Sequence, residues 1–130
     1  MREILFRGKT EKGEWVYGDL LTPDQFGNGY SIADHSIASP GQNVFDVIPG
    51  TIGQYTGLTD KNGKKIFEGD IVKGSWGTIF VVFYDNSFLQ FRAKPQSGVE
   101  RDIDYYQGYN GFVVIGNLYD NPELLRGDTE

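Results

Sequence analysis

The chain has 130 residues, no cysteine, a single histidine and a formal net charge of -6 at pH 7. These values exclude disulfides and thiolate or multi-histidine metal sites, and an acidic chain is atypical of nucleic-acid binders, which use Lys and Arg to neutralise phosphates. The length fits one domain over residues 1–130, with 1–50 and 51–130 as sub-parts. No apolar run reaches the ~18 residues of a membrane span, and no signal-peptide h-region is present, so we expect a soluble, cytoplasmic protein without membrane contact.

The first half of the chain shows short strand patterns separated by breakers. Eighteen glycines and 15% aromatic residues favour strands over helices. A first hairpin is predicted from residues 3–7, a turn over 8–13 and a returning strand from Trp15 to Leu21. Further strands are predicted at 30–33 and 44–48. The segment 25–46 has the weakest periodicity in the chain, and its structure stays open.

The central stretch from Gly53 to Lys73 carries the strongest turn signal. Asn62-Gly63 offers two residues that tolerate positive φ, which predicts a type I′ turn between strands at 58–61 and 64–67. Glu68-Gly69-Asp70 then predicts a second turn and the entry to a new strand. This stretch indicates an architecture, and it carries almost no sign of chemistry.

The second half continues with antiparallel strands and ends differently. Strands are predicted at 70–75, 78–84, 87–92, 102–106 and 112–117. The pair 78–84 and 87–92 is joined across Asp85-Asn86, and the apolar run Ile79–Tyr84 indicates burial on both faces. Asn121-Pro122-Glu123 is typical of a helix start, with room for one or two turns. We therefore expect a mainly β fold with a short C-terminal helix and an SH3-like small barrel in the C-terminal half.

Three parts of the sequence resemble the YopX family of phage and prophage proteins. The central motif lies in residues 55–72, the opening residues 2–7 and the closing residues 114–125 match the ends of that family, and residues 25–46 match nothing. The resemblance implies a phage-encoded, mostly β protein of the bacterial host cytoplasm whose biochemical role is unassigned. It supplies no catalytic residues.

Three patterns were weighed for metal or catalytic chemistry. Asp60-Lys61-Asn62-Gly63 resembles the start of an EF-hand loop, but its glycine is fourth rather than sixth and its twelfth residue is Ile71 rather than Glu. Asp34-His35-Ser36 holds the three residue types of a catalytic triad, but sequence neighbours seldom converge, so a surface histidine is favoured. Asp102 and Asp104 share a face if 102–106 is a strand, and a solvated strand face explains them. We expect no cofactor and no enzymatic activity.

Two clusters are candidates for binding. Tyr105, Tyr106 and Tyr109 suit a protein interface, because tyrosine combines a large ring with a hydroxyl that tolerates water, although a role at the core edge explains them as well. Lys61, Lys64 and Lys65 lie near aromatic residues and suit phosphate contacts, although hairpin lysines also serve solubility. The favoured hypothesis is a non-enzymatic protein-interaction or self-assembling module with an unknown protein partner, homo-oligomers included. The alternative is a nucleic-acid-binding accessory protein built on a small barrel.

Overall fold

The computed structural model describes residues 3–25, 29–38, 42–74, 77–95, 101–102 and 111–125. Over these residues the fold is mainly β, with two antiparallel sheets. The strands are β1 (Phe6–Lys9), β2 (Trp15–Leu21), β3 (Ser31–Ala33), β4 (Val44–Asp46), β5 (Gly53–Thr59), β6 (Lys65–Phe67), β7 (Asp70–Lys73), β8 (Ile79–Asp85), β9 (Gln90–Pro95), β10 (Arg101–Asp102) and β11 (Val113–Asn117). Two short 3-10 helices lie at Pro49–Thr51 and Pro122–Leu125. Neither is long and apolar enough to cross a membrane.

The chain divides into two compact units, Met1–Tyr55 and Thr56–Glu130. This boundary lies close to the predicted division at 50/51, while a single domain over 1–130 stays a prediction. β5 crosses the boundary and belongs to a sheet of order β4-β3-β2-β1-β5-β6. The strands predicted at 30–33 and 44–48, in and beside the weakly periodic segment 25–46, are present as β3 and β4.

The first unit is built on the β1–β2 hairpin and its neighbours. β2 alternates along its first residues, with Val16 buried and Tyr17 exposed, as one face of the sheet packs inward. Val16, Ile32 and Val47 form the buried core. β1 starts later than predicted and runs through Gly8 and Lys9, because those residues still pair with Val16 and Trp15 of β2.

The second unit holds a five-stranded sheet of order β10-β9-β8-β7-β11. Its core joins residues from β6 to β9 with the residue before β11: Ile66, Val72, Phe80, Val82, Phe91, Ala93 and Phe112. From Ile79 to Phe83, β8 alternates between half-buried and buried positions, and Tyr84 is exposed. The prediction that this strand is buried on both faces is therefore wrong: only one face is buried. Among the described residues, no strand pairing closes this sheet into a barrel.

The central hairpin forms where predicted, but its turn type differs. Gly63 has a φ of 86°, whereas Asn62 is not among the residues with positive φ. The N–H of Gly63 donates to the carbonyl of Asp60 (2.9 Å), and the N–H of Asp60 donates to the carbonyl of Lys64 (2.7 Å). This is a three-residue loop closed by one left-handed glycine, rather than a type I′ turn that needs two.

The β8–β9 hairpin corrects the predicted strands more strongly. Asp85 pairs with Gln90, so residues 86–89 form the loop, and the predicted strand at 87–92 starts three residues too early. Leu89 has a φ of 55° and is the one non-glycine residue with positive φ in the part of the chain that the structure describes. Phe88 and Leu89 therefore lie at the hairpin tip, rather than on a sheet face.

The last described residues of the second unit form a 3-10 helix at Pro122–Leu125, where the sequence predicted a short helix. Asn121, the first residue of the predicted helix start, contacts β11 through its side chain. Its side-chain Oδ1 accepts a hydrogen bond from the N–H of Asn117 at 3.2 Å and so closes the end of β11.

Candidate functional site

Asp60 organises the turn of the central hairpin. It is 4% exposed, although it lies in a turn. Its Oδ1 accepts hydrogen bonds from the N–H groups of Asn62 and Lys64, both at 2.9 Å. Its Oδ2 accepts from the N–H of Val114 at 3.0 Å. One carboxylate therefore both shapes the turn and fastens it to β11.

These contacts also fix the charge state of Asp60. Burial by itself would raise the pKa of this carboxyl, but the N–H groups of Val114, Lys64 and Asn62, with the charge of Lys64, outweigh that effect and lower the pKa below its ordinary value of 3.8. The carboxylate is thus ionised and fully engaged at neutral pH. Its role is structural, in place of the calcium ligation that an EF-hand would need.

The three lysines predicted as nucleic-acid candidates lie on this hairpin. Lys61, Lys64 and Lys65 are all exposed. The backbone N–H of Lys61 donates to the carbonyl of Phe112 at 2.9 Å, which fixes the backbone under that side chain. The hairpin thus brings the three lysines together at one solvent-exposed end.

The tyrosine cluster lies outside the described residues. This applies to Tyr105, Tyr106 and Tyr109, and also to Asp104. Asp102 is described only as part of the backbone of β10, which pairs with Arg92 of β9. The tyrosines as interaction residues therefore stay a prediction.

In the triad-like pattern, Asp34 and Ser36 bond to each other, whereas His35 pairs with a residue outside the pattern. His35 Nε2 lies 2.6 Å from Asp19 Oδ2, and both side chains are strongly exposed. Asp34 instead accepts from the hydroxyl of Ser36 at 2.6 Å, and this bond is the main cause that lowers the pKa of Asp34. Among the described residues, no group of three or more His, Cys, Asp and Glu side chains could hold a metal ion.

Among the described residues of the second unit, the most exposed apolar side chains lie at a position that the sequence predicted as strand. Phe88 and Leu89, at the tip of the β8–β9 hairpin, are 63% and 74% exposed. A leucine in the left-handed region costs roughly 1–2 kcal/mol that a glycine avoids. This hairpin thus keeps a bulky apolar side chain in solvent at a position whose backbone favours glycine.

Asp85 and Arg92 organise this tip. Asp85 Oδ1 accepts from the N–H of Ser87 at 2.8 Å, and Asp85 Oδ2 lies 3.7 Å from Arg92 Nε. The guanidinium of Arg92 lies over the ring of Phe88, 4.6 Å from its centroid. The exposed ring therefore has a cation over one face, and that cation is ion-paired with a carboxylate at 3.7 Å.

One sequence signal pointed to this loop. Asp, Asn and Ser in succession favour a turn, because an Asp side chain bonds the backbone N–H two residues on. Reading the loop as residues 86–89 would have placed Phe88-Leu89 at the tip. Their high hydropathy instead favoured a strand.

The fold and its hairpins define a mainly β protein whose most distinctive described surfaces are two tips, one cationic and one apolar. The chain belongs to the YopX family, since the model of that family, described as YopX protein, matches residues 5–126. This confirms the resemblance that the central and terminal motifs indicated.

One solved structure extends the comparison. The chain is similar to the crystal structure of protein EF1440 from Enterococcus faecalis, with 27% sequence identity and a TM-score of 0.55. The similarity covers 96% of this chain and 99% of that one. None of the curated proteins with which the chain was compared matches it.

Proposed function

We propose that the protein is a non-enzymatic interaction module that binds another protein through the tip of the β8–β9 hairpin. The observation that carries this proposal is the exposure of Phe88 and Leu89, at 63% and 74%. Exposed apolar groups that a fold supports, rather than buries, are typical of binding sites. Aromatic anchors held in place supply much of the energy of protein interfaces.

The proposal places this module in a phage or prophage and in the cytoplasm of the bacterial host. Membership of the YopX family supports the first part, since the sequence resembles proteins of that origin. An SH3-like arrangement of the second unit belongs to the same proposal. The succession of β7, β8 and β9 by antiparallel hairpins supports it.

The alternative function is nucleic-acid binding through the central hairpin. Its support is the exposure of Lys61, Lys64 and Lys65 around one turn. The net charge of -6 opposes it, because the remaining surface repels phosphates. Affinity from these lysines would fall steeply with salt.

A pulldown from bacteria that express the tagged protein, with and without nuclease, separates the two functions. Three forms are compared: the wild type, a tip variant (Phe88→Ser with Leu89→Ser) and a lysine variant (Lys61→Ala, Lys64→Ala and Lys65→Ala). Lys12→Ala, in the exposed turn of the β1–β2 hairpin, is the matched control for loss of a turn lysine.

The proposal predicts a nuclease-resistant protein partner that the tip variant loses and the lysine variant keeps. A nuclease-sensitive set lost only by the lysine variant would establish the alternative. Partners unchanged in both folded variants would overturn both assignments and direct attention to the tyrosine cluster. Light scattering of the purified chain at several concentrations completes the test, since a tip-dependent rise in mass would identify self-assembly.

A further inference from the structure

We infer that the β8–β9 tip is a preformed knob that inserts Phe88 and Leu89 into an uncharged apolar pocket of a partner protein, with Arg92 as the residue that positions the knob. This inference rests on the proposed function and names the partner surface that fits the site. Three observations carry it: the contacts within the tip, its charge and its size.

Contacts within the hairpin favour the observed conformation of the tip. The carboxylate of Asp85 binds the N–H of Ser87 and faces Arg92, whose guanidinium lies 4.6 Å from the centroid of the Phe88 ring. The N–H of Phe88 also donates to the carbonyl of Asp85, at 3.3 Å. A side chain that is already ordered loses less entropy on binding, which is the property of an efficient anchor.

Charge selects among the surfaces that this knob could meet. Between Asp85 and Arg92 the sequence holds no other ionisable side chain, and these two are opposite in sign and 3.7 Å apart. The tip therefore carries no net charge to attract phosphates or an anionic membrane. An uncharged apolar pocket is its electrostatic complement, and docking there depends little on salt.

Size and shape favour a pocket over a second copy. Complete burial of the exposed parts of Phe88 and Leu89 would remove on the order of 250 Å² from water, judged from the area of one aromatic side chain. A stable dimer buries about 800 Å² on each partner. Two projecting tips cannot reach that area by meeting each other, whereas a concave pocket encloses a two-residue knob almost completely.

The test places a photo-crosslinking amino acid, p-benzoylphenylalanine, in the 130-residue chain expressed in growing bacteria. It replaces Phe88 in one form, and Asn62 or Tyr119 in two control forms whose positions are exposed elsewhere in the second unit. The inference predicts a single protein adduct from position 88, absent from 62 and 119. That protein is then identified by mass spectrometry and purified for titration.

Titration of the purified partner measures how Leu89, Arg92 and salt affect the dissociation constant. Leu89→Ala should raise the dissociation constant at least about 30-fold, as expected for a hot spot. The dissociation constant of the wild type should change less than about 3-fold between 50 and 500 mM salt. Over this range the screening of exposed charges changes strongly, so an interface that depends on charge would respond. Arg92→Met should weaken binding about 10-fold, with recovery in Arg92→Lys, which restores a cation over the ring. Thermal midpoints of these variants serve as the folding control.

The possible failures are distinct. A protein adduct from position 62 or 119 but not from 88 would overturn the knob and leave the interaction module standing. An adduct with a second copy or with nucleic acid, or a steep dependence on salt, would overturn the uncharged pocket. No protein adduct from any of the three positions would overturn the knob and count against the proposed function. Equal binding by Arg92→Met and wild type would remove Arg92 from its positioning role.

Discussion

The β5–β6 and β8–β9 hairpins begin with the same chemistry and end with opposite surfaces. In each, an aspartate binds the backbone N–H two residues on, Asn62 for Asp60 and Ser87 for Asp85. The second oxygen of Asp60 then binds the N–H of Val114, whereas that of Asp85 faces Arg92 beside the Phe88 ring. One aspartate anchors its turn to the sheet, and the other supports an exposed side chain.

The residue with positive φ repeats this contrast. It is Gly63 in the first hairpin and Leu89 in the second. Glycine is the residue expected where only the turn matters, because its missing Cβ removes the strain. Leucine has a Cβ and therefore keeps the strain at this φ. The difference indicates that the second hairpin is adapted to expose the leucine side chain, rather than to relax the turn.

Among these substitutions, the greatest loss of stability is expected for Asp60→Ala, which removes the aspartate that binds its turn to the sheet. Asp60→Ala should lower the free energy of unfolding by about 3 kcal/mol, because it leaves three backbone N–H groups, all in partly buried hydrogen bonds, without their acceptor. Asp85→Ala, which removes one exposed cap and an ion pair, should cost about 1 kcal/mol. Urea denaturation of both variants measures the difference. Equal losses would contradict the distinction between an anchoring and a supporting aspartate.

The pH dependence of stability follows from the same carboxylate. The pKa of Asp60 is lower in the folded chain than its ordinary value of 3.8, so its stabilising contribution is complete above that value and is lost as pH falls through the folded pKa. Asp60→Asn should therefore flatten the acid limb of a plot of stability against pH. The measurement is a series of thermal melts from pH 2 to 7. An acid limb identical in wild type and variant would show that other carboxyl groups determine it.

A smaller effect is expected at the glycine of the central turn. Gly63→Leu places a side chain at a φ of 86°, in open space, so the cost is conformational and about 1 kcal/mol. The matched control is Gly13→Leu in the β1–β2 hairpin, where φ is 87°. Denaturation midpoints of the two variants should fall by similar amounts. A much larger loss at Gly63 would mean that the leucine disturbs the contacts of Asp60.

The smallest effect on stability is expected for the lysines. Replacing Lys61, Lys64 and Lys65 by Ala should change the free energy of unfolding by less than about 0.5 kcal/mol, since exposed side chains away from caps contribute little. Lys61 holds Phe112 through its backbone, which the substitution keeps. A loss above ~1 kcal/mol would show that the lysine side chains stabilise the hairpin.

The sequence predicted much of the fold and little of the site, for physical reasons. The β2 strand was found with its observed bounds, Trp15–Leu21, because alternation and flanking turn residues are local signals. The predicted type of the central turn was wrong, because the side chain of Asp60 helps to fix the backbone there. That side chain is bonded to Val114, which lies 54 residues away in the sequence. Local propensity cannot report such a contact.

The apolar tip was not predicted, because its local sequence signal was misleading. Phe88 and Leu89 are typical of strands, and only the pairing of Asp85 with Gln90 shows that they lie beyond the strand ends. Their exposure contradicts their hydrophobicity. Places where sequence rules fail in this way are often functional, because function requires what stability alone would remove.

Leu89→Gly separates a docking role of this side chain from a structural one, because stability and binding are measured in one variant. If Leu89 is kept for docking, glycine should relieve the strain at a φ of 55°, so the free energy of unfolding should stay level or rise by up to about 1 kcal/mol. Capture of the protein partner by the same variant should be lost. A drop of more than ~1 kcal/mol in stability, or unchanged partner capture, would contradict the account and make Leu89 a structural residue.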